Sequence, residues 1–302
     1  MITIIICTYN REKYIGPLLE SIAKNDYPKG DYEILLVDNN CTDNTRAVCQ
    51  SFAETHKDVN FRYVVEPEQG LSAARNKGIK ESKGDIIIYV DDDALVDSNY
   101  ISSYADHLAN NPNTMAAGGP IEPLYETEEP KWMSPYTKAL LTAWMNYGTK
   151  VCEYPKGRYP GGGNAAYRKV VFDKVGLFNT ELGRKGTALL ASEEKDIFDK
   201  MHALGMQVKY LPTPVLHHII PQAKLEKPYF ERLTRQIGIS ERARTLAISK
   251  SKYISRLGSE LIKWCGTLVL LSLYTLQGNP YKGWKLVLFR KNVTLGLLNK
   301  KD

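Results

Sequence analysis

Cysteine is scarce in this 302-residue chain and poorly placed for crosslinking. Cys7, Cys41, Cys49, Cys152 and Cys265 are odd in number, scattered, and never spaced as Cys-x-x-Cys. A disulfide framework and a zinc site are therefore not expected, and a reducing cytosol suits the chain. No basic leader precedes the opening MITIIIC and no small-residue cleavage site follows it, so the start reads as a first strand and not as a signal peptide. No apolar run reaches the ~20 residues that a membrane-spanning helix needs; WCGTLVLLSLYTL, Trp264 to Leu276, falls well short. A glycine-rich phosphate loop is also missing after the first strand, where CTYNREK stands instead, which counts against a nucleotidyltransferase.

What is present is ordinary for a folded protein, with 43% hydrophobic and 25% charged residues. The length allows one large domain with an appendage, or two modest domains. The net charge of +6 hides an asymmetry. From Gln222 to Asp302 there are 16 basic and 5 acidic residues, a net +11, whereas residues 1–221 carry 24 and 29, a net −5. A basic tail on an acidic body points to an anionic partner for the tail, and its apolar content favours a membrane surface over nucleic acid.

The first ninety residues alternate. MITIIICTY, YEILLVDNN, VNFRYVVEP and GDIIIYVDDD read as apolar strands, and REKYIGPLLESIAKN, TDNTRAVCQSFAETH and GLSAARNKGIKESK read as the helices between them. Thr42 or Asp43 is available to cap the second helix. Apolar strands alternating with helices predict an open α/β fold, a mostly parallel sheet flanked by helices. Ligands of such sheets bind outside the carboxyl ends of the strands. Polar residues gather there: Thr8, Tyr9, Asn10 and Arg11 after the first strand, Asp38, Asn39 and Asn40 after the second, Asp91, Asp92 and Asp93 after the fourth. Asn and Asp also end strands simply as turn formers. Three carboxylates in a row repel one another and resist desolvation, so the triplet is either a solvated turn or the seat of a cation.

Beyond Ala94 the pattern loosens. The stretch from Leu124 to Pro160 is rich in aromatics and proline, a lid or acceptor loop or else surface cover. GGGNAAYRKVVFDKVGLFN sets three glycines and Asn164 ahead of a helix. LLASEEKDIFDKMHALG gives a further helix with Glu193 and Glu194 at its N-terminal end, where the macrodipole favours carboxylates whatever their function. QVKYLPTPVLHHII reads as a strand, along which only one of His217 and His218 faces a given side.

Taken in order, CTYNR, VDNNCTDNT, GLSAARNKGI, VDDDA, GGGNAAYRK, SEEKDIF and VLHHIIP resemble family 2 glycosyltransferases of the nucleotide-sugar-binding GT-A fold, over roughly Ile2 to Ser240. The resemblance implies an inverting transfer of a sugar from a nucleotide diphosphate donor, a UDP-sugar above GDP- or dTDP-sugars, to a hydroxyl of a lipid-linked or polysaccharide acceptor. It implies Thr8, Tyr9 and Arg11 around the nucleotide, Asp38 on the uracil ring, Arg75 facing the diphosphate and Asn164 facing a sugar. Asp91 and Asp93 become the ends of an Asp-x-Asp motif for Mg²⁺ or Mn²⁺, with Asp91 near the ribose, Asp93 on the metal, Asp92 beside them and His218 completing the metal or phosphate shell. The family's Glu-Asp pair, which supplies the base, reads Glu193–Glu194 here; Glu194 takes the Asp position, one methylene longer, and both remain open. A non-catalytic sugar-nucleotide-binding protein is the other alternative, opposed by the retained acidic positions.

The implied organisation is a catalytic domain over 1–221, divided into a nucleotide-binding half (1–93) and an acceptor half (94–221), followed by a basic, amphipathic helical region over 222–302. Lys263, Lys282, Lys285, Trp264 and Trp284 resemble interfacial anchors. The expectation is peripheral association with the cytoplasmic face of the membrane, close to a lipid-linked acceptor; a helical hairpin packed on the catalytic domain is the alternative.

Overall fold

Long runs of β-branched residues at the start of the chain become strands buried on both faces. The structure, a computed structural model, describes residues 1–155, 157–182 and 193–298. The chain runs through β1 (Ile2–Thr8), α1 (Glu12–Ala23), β2 (Tyr32–Asp38), α2 (Thr45–Thr55), β3 (Phe61–Val65), α3 (Leu71–Glu81) and β4 (Ile86–Asp91). It continues through β5 (Ala94–Val96), α4 (Tyr100–Asn110), β6 (Thr114–Gly118), β7 (Ile121–Tyr125), α5 (Pro135–Thr142), β8 (Cys152–Glu153), β9 (Asn164–Arg168) and α6 (Val170–Val175). Then come α7 (Glu193–Ala203), β10 (Gln207–Tyr210), β11 (Leu216–Ile220), α8 (Gln222–Leu225), α9 (Lys227–Ile248), α10 (Lys250–Leu276) and α11 (Pro280–Leu298). Residues Leu189 to Ser192 of the motif leading into α7 lie outside the described residues.

The described residues form two units: Met1–Leu124 with Ala143–Ile219, and Tyr125–Thr142 with Ile220 onward. In the first, an eight-stranded sheet runs in the order β3-β2-β1-β4-β9-β6-β10-β8, and β5, β11 and β7 make a second, three-stranded sheet. The four strands expected from the sequence lie side by side and parallel, in the order β3, β2, β1, β4. Period-two alternation then divides their side chains. Ile4, Ile6, Ile34, Leu36, Ile88 and Val90 pack with α1, α2 and α4. Ile5, Leu35, Val37, Ile87 and Tyr89 pack with α3, α6 and α7 on the opposite face.

Three expectations need correction. Asn164, placed ahead of a helix by the sequence, begins strand β9, antiparallel to both β4 and β6, so the sheet is mixed. Asp43 lies one residue ahead of Asn44, the α2 N-cap, and joins the starts of two helices, its carboxylate accepting from the amides of Glu12 at 3.1 Å and Thr45 at 3.0 Å. The acceptor half is not continuous over 94–221, because Tyr125–Thr142 belongs with the C-terminal helices.

That grouping has an apolar cause. Met133 and Leu141 close on Phe230 in a buried cluster with Trp132, Leu233, Leu288 and Phe289 around it. Next to it, α9 and α11 cross at backbone contact. A Cβ on Gly238 would lie 2.1 Å from the Val293 carbonyl oxygen, and one on Gly296 would lie 2.2 Å from that of Arg235. Only glycine permits that approach. Polar contacts fix the crossing: Asn292 Nδ2 donates to Thr234 Oγ1 at 3.1 Å. Buried Glu260 of α10 accepts from Arg256 at 2.7 Å and Arg290 of α11 at 3.0 Å.

Candidate active site

Register brings the polar strand ends level. Thr8 lies opposite Asp38 across β1 and β2, and Cys7 lies opposite Asp91 across β1 and β4. The three clusters therefore share one sheet edge, as expected for ligand sites of such sheets. Asn10, at φ 54°, turns the chain out of β1, and its Oδ1 accepts from the amide of Thr42 at 2.8 Å. Asp38 is buried; its Oδ1 accepts from the Cys41 amide at 2.7 Å and its Oδ2 from the hydroxyl of Tyr63. Tyr9 stands exposed beside it in sequence with Thr8, whose buried hydroxyl has no hydrogen-bond partner among the described residues.

The acidic triplet is not a solvated turn. Asp93 is buried, and Arg11 reaches across from the end of β1, with Nε 3.3 Å from Asp92 and Nη2 3.7 Å from Asp93. Burial, together with the neighbouring charge of Asp93, pushes the Asp92 carboxyl up to about 7 despite Arg11. His218 also meets Asp93, Nε2 to Oδ1 at 3.4 Å. The cause is local: β11 runs antiparallel to β5, His218 pairs with Ala94, and Ile219 donates its amide to the Asp93 carbonyl at 2.8 Å. Alternation sends His217 to the other side, where Nε2 lies 2.9 Å from Asp97. Asp91 takes a third direction, its carboxylate packed over Gly163, where a Cβ would lie 2.0 Å from its Cγ.

The neighbouring glycine meets a second acidic group. A Cβ on Gly162 would lie 1.9 Å from Glu194 Oε1 and 2.6 Å from Arg75 Nη2. Glycines 162 and 163 thus let one loop pass between the carboxylates of Asp91 and Glu194. Arg75 is buried and binds both glutamates, with Nη1 2.9 Å from Glu193 Oε1 and 2.8 Å from Glu194 Oε1. Its guanidinium lies 5.7 Å from the ring of Tyr89 and 5.4 Å from that of Phe178. The two glutamates titrate apart. Burial and the charge of Glu194 push the fully buried Glu193 up to about 7, with Arg75 opposing. Burial acts upward on Glu194 as well, but the charge of Arg75 and hydrogen bonds outweigh it and hold this more accessible carboxyl below its usual range.

Two expected residues meet other partners in the structure. Arg75 turns Nη1 to the two glutamates. Asn164 cannot face a sugar: it is fully buried, its Oδ1 accepts from the hydroxyls of Tyr100 at 2.8 Å and Tyr104 at 2.6 Å, and its Nδ2 donates to the carbonyls of Pro120 and Pro214. It fixes β9, whose preceding loop carries Gly162 and Gly163. Sequence reasoning missed Tyr100 and Tyr104. Their spacing of four on an otherwise apolar helix face was the signal, because buried hydroxyls require partners. Nothing local could have linked Arg75 to residues 118 and 119 positions away.

The family described as Glycosyl transferase family 2 matches residues 3–176. A glucosyl-dolichyl phosphate glucuronosyltransferase of Haloferax volcanii is 25% identical over 228 residues, 74% of this chain and 71% of the relative. Over other curated relatives the matched share runs from 66% down to 16% of their length. A mannosyltransferase from Pyrobaculum calidifontis, solved with GDP-Man and Mn²⁺, superimposes with a TM-score of 0.62 at 19% identity, covering 99% of this chain and 88% of that one. S. aureus TarS 1–349 with UDP-GlcNAc gives a TM-score of 0.54 at 16% identity, covering 99% and 92%. At such identities these two structures show the shared GT-A fold.

Proposed function

This chain belongs to glycosyl transferase family 2, and we propose that it moves a sugar from a uridine diphosphate donor to a hydroxyl of a lipid-linked or polysaccharide acceptor, with inversion at the anomeric carbon. The observation that carries the reading is the Arg75-held pair of glutamates, adjoining the acidic triplet through two consecutive glycines. Glu194 is the ionised and more accessible member, so it is the base that takes the proton of the acceptor hydroxyl as that oxygen attacks. Glu193, pushed up to about 7 by burial and the charge of Glu194, releases its proton less readily than an ordinary carboxyl, which limits the negative charge packed around Arg75. Arg75 holds Glu194 in place from behind. Exposed Tyr9, with Thr8 and Asp38, forms the nucleotide side of the cleft.

The donor set fits a divalent cation of the Mg²⁺ or Mn²⁺ kind. Asp93 offers carboxylate oxygen and His218 imidazole nitrogen from 3.4 Å away, and burial, with the charge of Asp93 added, pushes Asp92 up to about 7 in spite of Arg11. Among the described residues no three His, Cys, Asp or Glu side chains enclose a metal by themselves. That matches an ion held by one or two side chains and completed by substrate phosphates. Such a cation would neutralise charge developing on the departing diphosphate. Arg11, already against Asp92 and Asp93, is placed to meet the same phosphates. The Haloferax relative is named for a dolichyl phosphate, which supports a lipid-linked acceptor, and TarS with UDP-GlcNAc supports a uridine donor.

Attachment to a membrane face belongs to the same proposal. No described helix is long and apolar enough to cross a bilayer. Yet Leu261, Ile262, Leu268, Val269, Leu273 and Leu276 project from α10 into solvent. A helix presenting such a face suits peripheral insertion at the headgroup boundary.

Release of nucleotide from UDP-, GDP- and dTDP-sugars, with and without Mn²⁺, tests the transfer reading. Glu194→Gln is expected to keep donor binding and lose about 10²–10⁴ in turnover, and Asp93→Ala to lose the Mn²⁺-dependent gain in nucleotide affinity. Full turnover in Glu194→Gln would move the base to Glu193. A donor affinity indifferent to both cations would remove the metal from the reaction.

A further inference from the structure

The second unit contains a cavity of about 400 Å³ lined by Lys131, Trp132, Tyr281, Trp284, Lys285 and Leu288. Its size falls in the range of small-molecule sites, ~300–1,000 Å³. Its residues come from the segment before α5 and the first turns of α11, so it lies wholly within this unit. Tyr281 and Trp284 are 67% and 62% exposed. Two large aromatic side chains open to water beside a cavity form a surface made to be covered.

The cationic groups narrow the occupant. The Lys285 ammonium lies 4.0 Å from the ring centroid of Trp132 and 4.1 Å from that of Phe230. Burial pulls this lysine below its ordinary range, and neighbouring Lys227 acts the same way against Glu231. No carboxylate lies within ion-pair distance of Lys285 or Lys131 among the described residues. The cavity therefore sets an apolar, aromatic wall beside two lysines that make no ion pair among the described residues, Glu231 acting on Lys285 only from beyond that distance. A free anion would leave the aromatic wall uncovered, and a plain hydrocarbon would leave the amines unpaired. A second copy of this chain would bring another tail of net +11, and like charges oppose that pairing.

We propose that this cavity takes the hydrocarbon chain of a lipid phosphate between Trp132, Trp284 and Leu288, with the phosphate meeting Lys131 and Lys285. The assignment rests on the lipid-linked acceptor reading above and gives that acceptor a binding place on the protein.

Calorimetric titration of the full chain with dodecyl phosphate, kept below its micelle-forming concentration and with no nucleotide present, tests the site. Saturable binding is expected, at least tenfold tighter than dodecanol, with inorganic phosphate giving none. Trp284→Ala, at an exposed position, and Lys285→Gln are each expected to weaken dodecyl phosphate at least tenfold. Lys285→Arg is expected to retain it, which separates loss of charge from loss of folding. Equal affinity for dodecanol, or unchanged affinity in both weakening variants, would overturn the site. So would binding seen only with phosphatidylglycerol vesicles, which would assign the surface to the bilayer. Because no donor is present, the readout is independent of transfer. A chain that binds the lipid but releases nucleotide from no donor would sink the transfer reading and leave this one standing, and the converse result would do the reverse.

Discussion

In the first unit β1 and β2 put Ile4, Ile5, Ile6, Ile34, Leu35 and Leu36 out of reach of water, and carboxylates gather where the strands end. Helix α10 of the second unit reverses the arrangement. Its buried residues are Glu260 and Thr267, while Leu261, Ile262 and Leu276 are 70%, 75% and 85% exposed. The sheet follows the rule for a protein surrounded by water, with polar groups left at an edge because a ligand is to meet them there. The helix inverts that rule: its outer face is apolar and its buried residues are polar. Each unit thus shows which surface it expects to have covered, the first by clustered charge and the second by clustered hydrocarbon.

The sharpest way to break the contrast is to remove the polar inside of α10. Glu260→Gln leaves Arg256 and Arg290 without their shared carboxylate in a mostly buried setting. Removing one partner of a buried ion pair costs about 3–5 kcal/mol, and the lower end is expected because Arg256 also reaches Glu241 at 3.2 Å. Amide exchange read by mass spectrometry should quicken in α9, α10 and α11 and stay unchanged in β1 and β2. Protection retained in α10 and α11 would mean that apolar contacts and the Gly238–Gly296 crossing hold the helices without it.

The two regions also differed in how far they could be read from sequence. The strand ends were legible because a parallel sheet buried on both faces writes itself as apolar runs, and the residue ending each run must lie at one edge. Glu193 and Glu194 were legible as a pair, and alternation showed that only one of His217 and His218 could face the site, the choice of His218 coming from the family resemblance. Strand β9 was not, since NAAYR lacks the β-branched run of its neighbours and its pairing with β4 spans more than seventy residues. A still longer separation, 118 and 119 residues, hid the fate of Arg75. In the tail the apolar stretch from Trp264 was visible, but which residues turn inward depends on the partner helix. Two expected anchors are used inside the unit: Trp264 Nε1 donates to Thr294 Oγ1 at 3.0 Å, and Lys285 folds over two rings.

Smaller effects should follow from charging the outer face. Ile262→Asp with Leu276→Asp alters side chains that touch little protein, so the melting temperature is expected to hold, as for exposed substitutions generally, within ~0.5 kcal/mol. Flotation with vesicles of phosphatidylcholine and phosphatidylglycerol should nevertheless fall at least tenfold, about 1.4 kcal/mol. Unchanged flotation would leave the apolar face to another partner, whereas a lowered melting temperature would show that it packs against protein.

The gentlest test concerns Glu193, a buried acid of the first unit. Glu193 rises from 4.5 to about 7, by burial first and the charge of Glu194 second. A carboxyl whose folded value exceeds its unfolded one binds more protons when folded, so its contribution to stability is complete below about 4.5 and is lost as pH climbs through 7. The slope is at most about 1.4 kcal/mol per pH unit. Glu194 is held low, so its own contribution changes only below that window. Glu193→Gln carries no charge at any of these values and should flatten the decline in melting temperature between pH 5 and 7. A variant that declines as steeply as the parent would place the shared proton elsewhere in the cleft, with the acidic triplet the next group to test.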